Sequence, residues 1–183
     1  MTKMNDPSGL DYVQDFINQE EEKKLIEFIN SQPWRVEKKR RMQTYGFRYM
    51  KGEHHMELHK VDPIPDIIVH LMEKVQDFFH IQLNQCTINE YKPGQGIDAH
   101  YDHKERFGKD IVGLSLGSGC EMIFESEKNL IRSIYLEPRS MYRMTEKYRY
   151  DYTHRIKGQV EDTINGESVP RKTRISLTFR FCK

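Results

Sequence analysis

The chain ends in a segment whose polar and apolar residues alternate strictly, Arg174-Ile-Ser-Leu-Thr-Phe-Arg180. Successive side chains of a β-strand point to opposite faces, so this pattern predicts a strand with two chemically different faces. The apolar face carries Ile175, Leu177 and Phe179, and the polar face carries Arg174, Ser176, Thr178 and Arg180. A polar face of this kind either contacts solvent or lines a polar pocket inside the protein.

The second half of the sequence consists of short strand-like segments. From Gln85 onward these segments are separated by turns rich in proline and glycine at residues 93–96, 117–119 and 137–138. Many short strands with such turns are typical of a β-sandwich or a jelly roll. We therefore predict an α+β fold that is mainly β.

The first half of the sequence shows helical spacing. Asn18 and Glu21 resemble a capping box, and an apolar stripe follows as far as Pro33. A second helix is predicted over about residues 65–80, with apolar residues at helical spacing. A chain of 183 residues fits a single domain. Within it, residues 1–84 are expected to form a helical support with a substrate-recognition lid, and residues 85–183 the β core.

Composition excludes several classes of protein. With 37% apolar and 31% charged residues, the chain reads as globular, and its apolar runs are too short to cross a bilayer. The amino terminus lacks the apolar stretch of a secretory signal, so we expect an intracellular protein, cytoplasmic or nuclear, without a membrane role. We also expect a monomer.

The cysteines do not suggest a bridge or a zinc site. Cys86, Cys120 and Cys182 are odd in number and have no CxxC spacing. They are expected to be buried or half-buried thiols.

Residues 34–51 concentrate positive charge and aromatic rings. The charges are Arg35, Lys38, Lys39, Arg40, Arg41, Arg48 and Lys51, against Glu37 alone, and the rings are Trp34, Tyr45, Phe47 and Tyr49. Basic groups contact phosphates and rings stack on exposed bases, so the mixture predicts a surface for nucleic-acid strands. A solvated face with a few core aromatics is the alternative interpretation.

Two histidines and a carboxylate suggest a metal centre. His100 and Asp102, two residues apart on one predicted strand, and His154 on a later strand could hold one face of a non-haem Fe(II) ion. His103 would point to the opposite face of the strand and is a poor substitute. His54, His55 and His59 form a second local group, which we interpret as a polar loop.

The polar face of the last strand suits a 2-oxo acid next to that metal. Arg174 could hold the distal carboxylate of such an acid with two parallel hydrogen bonds. Tyr91 and Asn89 could add neutral hydrogen bonds, and Arg180 could orient Asp102. Each of these strands, taken alone, could equally be half-solvated.

Taken together, these residues resemble the AlkB-type Fe(II)- and 2-oxoglutarate-dependent dioxygenases. The resemblance rests on Asn89-Glu-Tyr91, the turn at residues 93–97, His100-Tyr-Asp102, Leu114-Ser-Leu-Gly117, His154, and the strand from Arg174 to Arg180. It implies a double-stranded β-helix flanked by helices, with Fe(II), 2-oxoglutarate and dioxygen as cofactor and co-substrates. It implies metal ligands His100, Asp102 and His154, and a 2-oxoglutarate site that consists of Asn89, Tyr91, Arg174, Ser176, Thr178 and Arg180.

The same resemblance implies a nucleic-acid substrate, single-stranded or with a flipped base, and oxidative demethylation of alkylated bases. Residues 40–49 look like the family's nucleotide-recognition lid, and the substrate contacts it implies are Arg41, Tyr45, Phe47, Arg48, Tyr49 and Lys104. Two departures from the bacterial repair enzymes put the substrate in doubt. Lys104 stands where they place a carboxylate, and Ser176 where they have an asparagine. The chain looks nearer to the animal homologue that hydroxylates a modified wobble uridine of tRNA, so that reaction, oxidation of a protein side chain, and a binding module without catalysis are the alternatives.

Overall fold

The computed structural model describes residues 3–37, 40–52, 55–128 and 130–183. Strands dominate these residues. In chain order they are β1 (Lys3–Asp6), β2 (Leu10–Val13), β3 (Arg35–Glu37), β4 (Arg40–Tyr45), β5 (Phe47–Lys51), β6 (Met56–Lys60), β7 (Gln85–Tyr91), β8 (Ile97–His100), β9 (Phe107–Leu116), β10 (Cys120–Ser126), β11 (Ile131–Leu136), β12 (Met141–Met144), β13 (Tyr152–Ile156), β14 (Glu161–Ile164), β15 (Glu167–Pro170) and β16 (Arg174–Cys182). The helices are α1 (Gln19–Ser31), α2 (Asp66–Phe79) and α3 (Glu146–Tyr150).

Most strands belong to two sheets. The larger sheet has eight strands in the order β1-β2-β12-β9-β16-β7-β4-β3, and the smaller has four in the order β11-β10-β13-β8. One cluster of buried side chains combines Ile111 and Met144 of the larger sheet with Phe124 and Ile156 of the smaller one. The sheets therefore share an apolar core, as a jelly roll requires, and the predicted mainly-β fold is confirmed.

The two longer helices cover the other side of the larger sheet. Ile29 of α1 and Ile68 of α2 belong to one buried cluster with Leu177 and Phe179 of β16, and all four are 0% exposed. The apolar face of β16 thus packs on the helices. Because side chains alternate along a strand, its polar face points to the opposite side.

Both predicted helices form with the expected ends. The Asn18 side chain accepts a hydrogen bond from the Glu21 backbone N–H at 2.9 Å, and the Glu21 carboxylate accepts one from the Asn18 N–H at 2.8 Å. This is the capping box that the sequence indicated. Helix α2 follows Pro65 and ends at His80, which has a positive φ of 54°.

Among the described residues up to Lys60, the structure has six strands that the sequence analysis did not predict. Strand β2 pairs with β12, and β4 pairs with β7, so this part of the chain extends the larger sheet on both sides. Describing residues 1–84 as a helical support with a lid was therefore incomplete. These strands are short, and β4 begins with Arg40 and Arg41, so apolar alternation is too brief to reveal them.

Several smaller expectations can be compared with the described residues. All three cysteines are buried and unpaired. No helix in the described ranges is both long and apolar enough to cross a membrane. Of the local histidine group, His54 lies outside the described residues, as do Lys38 and Lys39 of the basic segment. His59 lies on β6, so the interpretation of this group as a polar loop was wrong for that residue. His55 and His59 lie 4.0 and 3.6 Å from the Glu57 carboxylate.

Candidate functional site

Two histidines face each other across neighbouring strands of the smaller sheet. His100 at the end of β8 and His154 in the middle of β13 are paired in register, and their ring centroids lie 4.3 Å apart. Strand β8 ends at His100, so Asp102 occupies the following loop. The expectation that His100 and Asp102 share a strand was therefore wrong, although Asp102 still turns toward the pair.

Asp102 is buried between a histidine and an arginine. Its side chain is 7% exposed, and its Oδ2 lies 3.7 Å from Nε2 of His154. Arg180 donates from Nε to Oδ1 at 2.8 Å, and its Nη2 lies 2.7 Å from the same oxygen. Oδ2 has no hydrogen-bond partner among the described residues. A buried carboxylate oxygen without a partner is costly unless it binds something, and this one points toward His154.

Electrostatics favour the protonation states that a metal needs. Burial lowers the pKa of His154 to about 4, against the opposing effect of Asp102, so its imidazole is neutral near pH 7. Burial by itself would raise the pKa of Asp102, but Arg180 and then His154 outweigh it and the pKa is lowered. The carboxylate is therefore ionised, and metal ligands are bound as neutral imidazole and ionised carboxylate.

His100 is oriented by the backbone of its own strand. Its Nδ1 lies 2.8 Å from the carbonyl oxygen of Asp98, and since a carbonyl only accepts, Nδ1 carries the proton and Nε2 the lone pair. Histidines that bind metals usually donate a hydrogen bond from the N–H of the other ring nitrogen in this way. Across the described ranges, no three His, Cys, Asp or Glu side chains already stand close enough to enclose an ion. His100 packs against His154, and Asp102 lies beside His154, so the three predicted ligands are neighbours.

Arg149 holds the Asp102 loop through hydrogen bonds to its backbone, a role that the sequence analysis did not predict. It is 2% exposed and donates from Nη1 to the Asp102 carbonyl at 2.8 Å and from Nη2 to the His103 carbonyl at 2.9 Å. A third bond runs from Nε to the carbonyl of Gly108 at 3.3 Å. Arg149 therefore holds the backbone that directly follows the Asp102 side chain. No motif in the sequence marks it.

A second group of polar side chains lies on β16. Arg174 is 3% exposed, and its Nε donates to the Ser115 hydroxyl at 2.8 Å. Its Nη2 lies 3.4 Å from the Ser176 hydroxyl. Its Nη1 is buried and has no hydrogen-bond partner within the described residues. A buried guanidinium with an unused donor suits an anion, and a carboxylate matches the planar fork best.

The neighbouring strands complete this polar face. Strand β16 lies between β7 and β9, with Arg174 opposite Tyr91 and Ser176 opposite both Asn89 and Ser115. Thr178 continues the same face toward Arg180. The predicted set Asn89, Tyr91, Arg174, Ser176, Thr178 and Arg180 is thus brought together, and Ser115 joins it as a residue that sequence reasoning missed. Ser115 lies inside the Leu114-Ser-Leu-Gly117 motif, but only the strand register shows that it contacts Arg174.

Tyr91 connects this face to strand β4. The ring of Tyr91 lies beneath two guanidinium groups, with Arg40 at 5.0 Å and Arg174 at 5.5 Å from its centroid. Arg40 also donates to the Tyr91 hydroxyl at 3.3 Å and to the Gly96 carbonyl at 3.1 Å. Arg40 thus links the predicted lid to the polar face, a contact that the sequence did not reveal.

The β5–β6 hairpin is anchored beside the metal-ligand candidates. The Tyr49 hydroxyl donates to the Lys183 carbonyl at 2.9 Å, and the Arg106 carbonyl lies 3.3 Å from the same hydroxyl as an alternative acceptor. The Tyr49 ring packs edge-on against Phe107, with centroids 5.9 Å apart, and Arg180 covers the same Phe107 ring at 5.0 Å. Since Arg180 also holds Asp102, a continuous series of contacts joins the hairpin to the Asp102 loop.

The residues predicted to contact the substrate differ in their burial and in their partners. Tyr45 is 7% exposed and lies in the core packed against the helices, so the structure does not bring it to this surface. Phe47 and Tyr49 are half-buried on β5, and Arg48 forms an ion pair with Glu37. Arg41 forms a bidentate ion pair with the buried Glu90, and its guanidinium lies 4.7 Å from the centroid of the Trp34 ring. Lys104 is exposed just beyond Asp102, with Nζ 4.5 Å from the Tyr101 ring centroid. His103 caps the same turn by accepting from the N–H groups of Glu105 and Arg106, both at 3.3 Å.

Comparison with known proteins identifies relatives along almost the whole chain. Residues 9–180 match the family described as the 2OG-Fe(II) oxygenase superfamily. The uncharacterized protein L905 of Acanthamoeba polyphaga mimivirus is 35% identical over 98% of this chain and 88% of its own length. The tRNA (carboxymethyluridine(34)-5-O)-methyltransferase ALKBH8 of Mus musculus is 34% identical over 86% of this chain, which spans only 26% of that protein. The solved structure of OsALKBH1 covers 98% of this chain with a TM-score of 0.70 at 14% identity, a similarity of fold.

Proposed function

This chain belongs to the 2OG-Fe(II) oxygenase superfamily, and on that basis we propose that it oxidises alkyl groups on bases of nucleic acid, chiefly by demethylating alkylated bases. Membership makes it an enzyme that uses Fe(II), 2-oxoglutarate and dioxygen. When bound, the iron lets dioxygen oxidise a C–H bond while 2-oxoglutarate is converted to succinate and carbon dioxide.

We assign the iron to His100, Asp102 and His154. The unpartnered Oδ2 of Asp102, its contact with His154 and the neutral state of that imidazole all fit a divalent metal. Arg180 orients the carboxylate, and Arg149 holds the backbone that carries it. Both arginines act on the metal through Asp102.

We assign the 2-oxoglutarate to the polar face of β16. Arg174 would bind the distal carboxylate through the Nη1 donor that has no other partner, while Ser115 and Ser176 keep its guanidinium in place. Asn89, Tyr91 and Thr178 line the same face and would add neutral hydrogen bonds. Because these side chains belong to paired strands, sheet pairing fixes their relative positions.

One observation carries the choice of a nucleic-acid substrate. A hairpin with exposed or half-buried aromatic and basic residues is fixed to the Asp102 loop through Tyr49 and Phe107, so it borders the proposed metal. Rings stack on bases and cations contact phosphates. Arg48, Phe47, Tyr49 and Lys104 are the candidates for these contacts, and Arg41 remains available in part because its side chain is 41% exposed.

The chemistry on an N-methyl group follows from simple balance. Hydroxylation of the methyl carbon gives a hemiaminal, in which one oxygen now lies between the carbon and a proton. The C–N bond then breaks, its electron pair stays on the base nitrogen, and the carbon leaves as formaldehyde once the hydroxyl proton is lost, either to that nitrogen or, for a cationic base such as 1-methyladenine, to solvent. On an alkyl group attached through carbon there is no such bond to break, and the hydroxyl group would stay.

Hydroxylation of a modified tRNA uridine is the second candidate function. It is favoured by the 34% identity with ALKBH8, a protein named for a carboxymethyluridine at tRNA position 34. Lys104, exposed two residues beyond Asp102, would suit an anionic or carbonyl-bearing substituent better than the exocyclic amine of adenine or cytosine.

Product analysis separates these reactions. The protein is incubated with Fe(II), ascorbate and 2-oxoglutarate, together with single-stranded oligonucleotides that bear 1-methyladenine or 3-methylcytosine, or with bulk tRNA. Demethylation requires succinate and formaldehyde in equal amounts and loss of the methyl group, whereas a stable gain of one oxygen on tRNA indicates hydroxylation. Asp102→Ala is the inactive control. Succinate that stays at its background rate with every nucleic acid would contradict the proposal.

A further inference from the structure

A buried tyrosine stands over the polar face of β16 and has no assigned role. Tyr142 of β12 is 4% exposed and is paired in register with Gly113 of β9, which is paired in turn with Thr178 of β16. Residues that are directly opposite on neighbouring strands share one face of a sheet. Tyr142 therefore lies on the same face as Arg174, Ser176 and Thr178.

The glycine at position 113 determines where this ring lies. A Cβ atom added to Gly113 would overlap ring carbons and the hydroxyl oxygen of Tyr142. The phenol end of Tyr142 thus occupies the space that a side chain of β9 would otherwise fill, and it extends across β9 toward β16. Only glycine leaves room for this arrangement.

Charged residues of both proposed ligand sites act electrostatically on the Tyr142 phenol. Burial raises the pKa of Tyr142, Arg174 and more weakly Arg180 oppose this rise, and Asp102 adds to it. The hydroxyl is thus protonated at neutral pH and able to donate. Across the described residues, no protein group forms a hydrogen bond with the Tyr142 side chain.

Tyr142 as a whole is 4% exposed, so its hydroxyl lies in the interior with its hydrogen-bonding capacity unused by the protein, and it is available to a ligand or water. Here a second unpartnered donor, Nη1 of Arg174, lies on the same face. We propose that the Tyr142 hydroxyl donates a hydrogen bond to the co-substrate beside Arg174, and that Gly113 is a glycine because it makes room for this ring. Tyr142 is then a 2-oxoglutarate-binding residue in addition to the set that the sequence motifs mark. The inference rests on the proposed placement of 2-oxoglutarate at Arg174.

The test compares two tyrosines that differ in their partners. Tyr142→Phe removes a hydroxyl that no described protein group uses, whereas Tyr148→Phe removes one that donates to the Asp6 carboxylate at 3.0 Å, outside the pocket. The full chain, loaded with Mn(II), is titrated with 2-oxoglutarate by calorimetry, and each variant is also unfolded in urea. Turnover is not needed for either readout.

We expect the two variants to behave in opposite ways. Tyr142→Phe should raise the Kd for 2-oxoglutarate about tenfold, as for one lost hydrogen bond to a charged group, with no fall in the urea midpoint. Tyr148→Phe should lower the midpoint and leave the Kd unchanged. Gly113→Ala should also raise the Kd, because the ring has to move aside.

Two results would overturn the inference in distinguishable ways. An unchanged Kd in Tyr142→Phe, together with a raised Kd in Arg174→Gln, would remove Tyr142 from the site and leave the placement of 2-oxoglutarate intact. An unchanged Kd in both variants would show that 2-oxoglutarate does not bind on this face, and both proposals would fail.

Discussion

Arg180 holds Asp102 by one carboxylate oxygen only. Its Nε and Nη2 lie 2.8 and 2.7 Å from Oδ1, and Oδ2 is left facing His154 at 3.7 Å. The two oxygens of one carboxylate thus have separate tasks, one for orientation and one for the proposed metal. This division depends on the planar fork of a guanidinium, which a lysine lacks.

Arg180→Lys should therefore weaken metal binding. A partner that orients a metal ligand typically contributes about 10–100-fold to metal affinity, and we expect a loss in that range. Competition titration of Mn(II) or Fe(II) measures it. Arg132→Lys, an exposed change on β11, is the matched control. Equal affinities in the wild type and Arg180→Lys would mean that Asp102 needs no orienting partner.

Arg174→Gln should act on 2-oxoglutarate and spare the metal. A buried carboxylate that loses its charged partner is destabilised by roughly 3–5 kcal/mol, so the 2-oxoglutarate concentration for half-saturation should rise more than a hundredfold. Calorimetric titration of the Mn(II)-loaded variant gives this value, and Mn(II) affinity serves as its internal control. A normal requirement for 2-oxoglutarate would remove Arg174 from the site.

Arg149→Met should reduce stability and loosen the Asp102 loop. The change removes the Arg149 donor from three carbonyls, a buried one at Asp102 and part-buried ones at His103 and Gly108. We expect the free energy of unfolding to fall by about 3 kcal/mol, since each lost bond to a charged donor costs at least about 1 kcal/mol. Urea denaturation measures it, with the exposed Lys147→Met on the same helix as control. A loss no larger than that of Lys147→Met would show that the loop holds itself.

The cysteines should react slowly in the folded protein. Burial raises the pKa of Cys182 to about 11 from an ordinary value of 9.0, and it also raises the pKa values of Cys86 and Cys120. A raised pKa leaves less thiolate at a given pH, so a thiol reagent at about pH 8 should modify the folded chain far more slowly than the urea-unfolded chain.

The same shift has a consequence for stability. Between about pH 9 and about pH 11 the folded state retains the Cys182 proton while the unfolded state loses it. The stability that this group contributes is therefore fully present below about pH 9 and is lost as the pH rises to about 11. Cys182→Ala should flatten this part of the pH profile. Rapid modification of the folded thiols, or an unchanged profile in the variant, would contradict the burial of Cys182.

The strand β16 was predictable because its side chains obey one strong rule. Strict alternation over seven residues places apolar groups on the helices and polar groups on the opposite face of the sheet, and the apolar face packs on the helices as expected. The two longer helices were predictable for a similar reason, since each has an apolar stripe, α1 begins with a capping box and Pro65 precedes α2. Local chemistry determines these elements before any tertiary contact forms.

Tyr45 shows where such rules fail. It stands in a basic, aromatic segment, yet β4 runs inward along β7 and buries its final residues. Composition describes a segment as a whole, whereas burial is decided residue by residue through sheet pairing. The strands before residue 60 could not be predicted from the sequence for the same reason, because they are short and several pair with strands from distant parts of the chain.

Arg149, Ser115 and Tyr142 were missed for a related reason. Each acts on a residue far away in sequence, Arg149 on the Asp102 loop, Ser115 on Arg174, and Tyr142 across Gly113. One sequence gives the residues of a motif but no register between strands. Side chains that support a site become visible only when the register is known.

The most direct test of the account is the binding of Fe(II) and 2-oxoglutarate without oxygen. Chelation of 2-oxoglutarate to iron produces a visible charge-transfer band, which can be titrated in the wild type and in Asp102→Ala and His154→Ala. The account predicts a saturable band in the wild type that both variants lose while their circular dichroism is retained. A band of equal intensity and affinity in Asp102→Ala would place the iron elsewhere and contradict the proposed site.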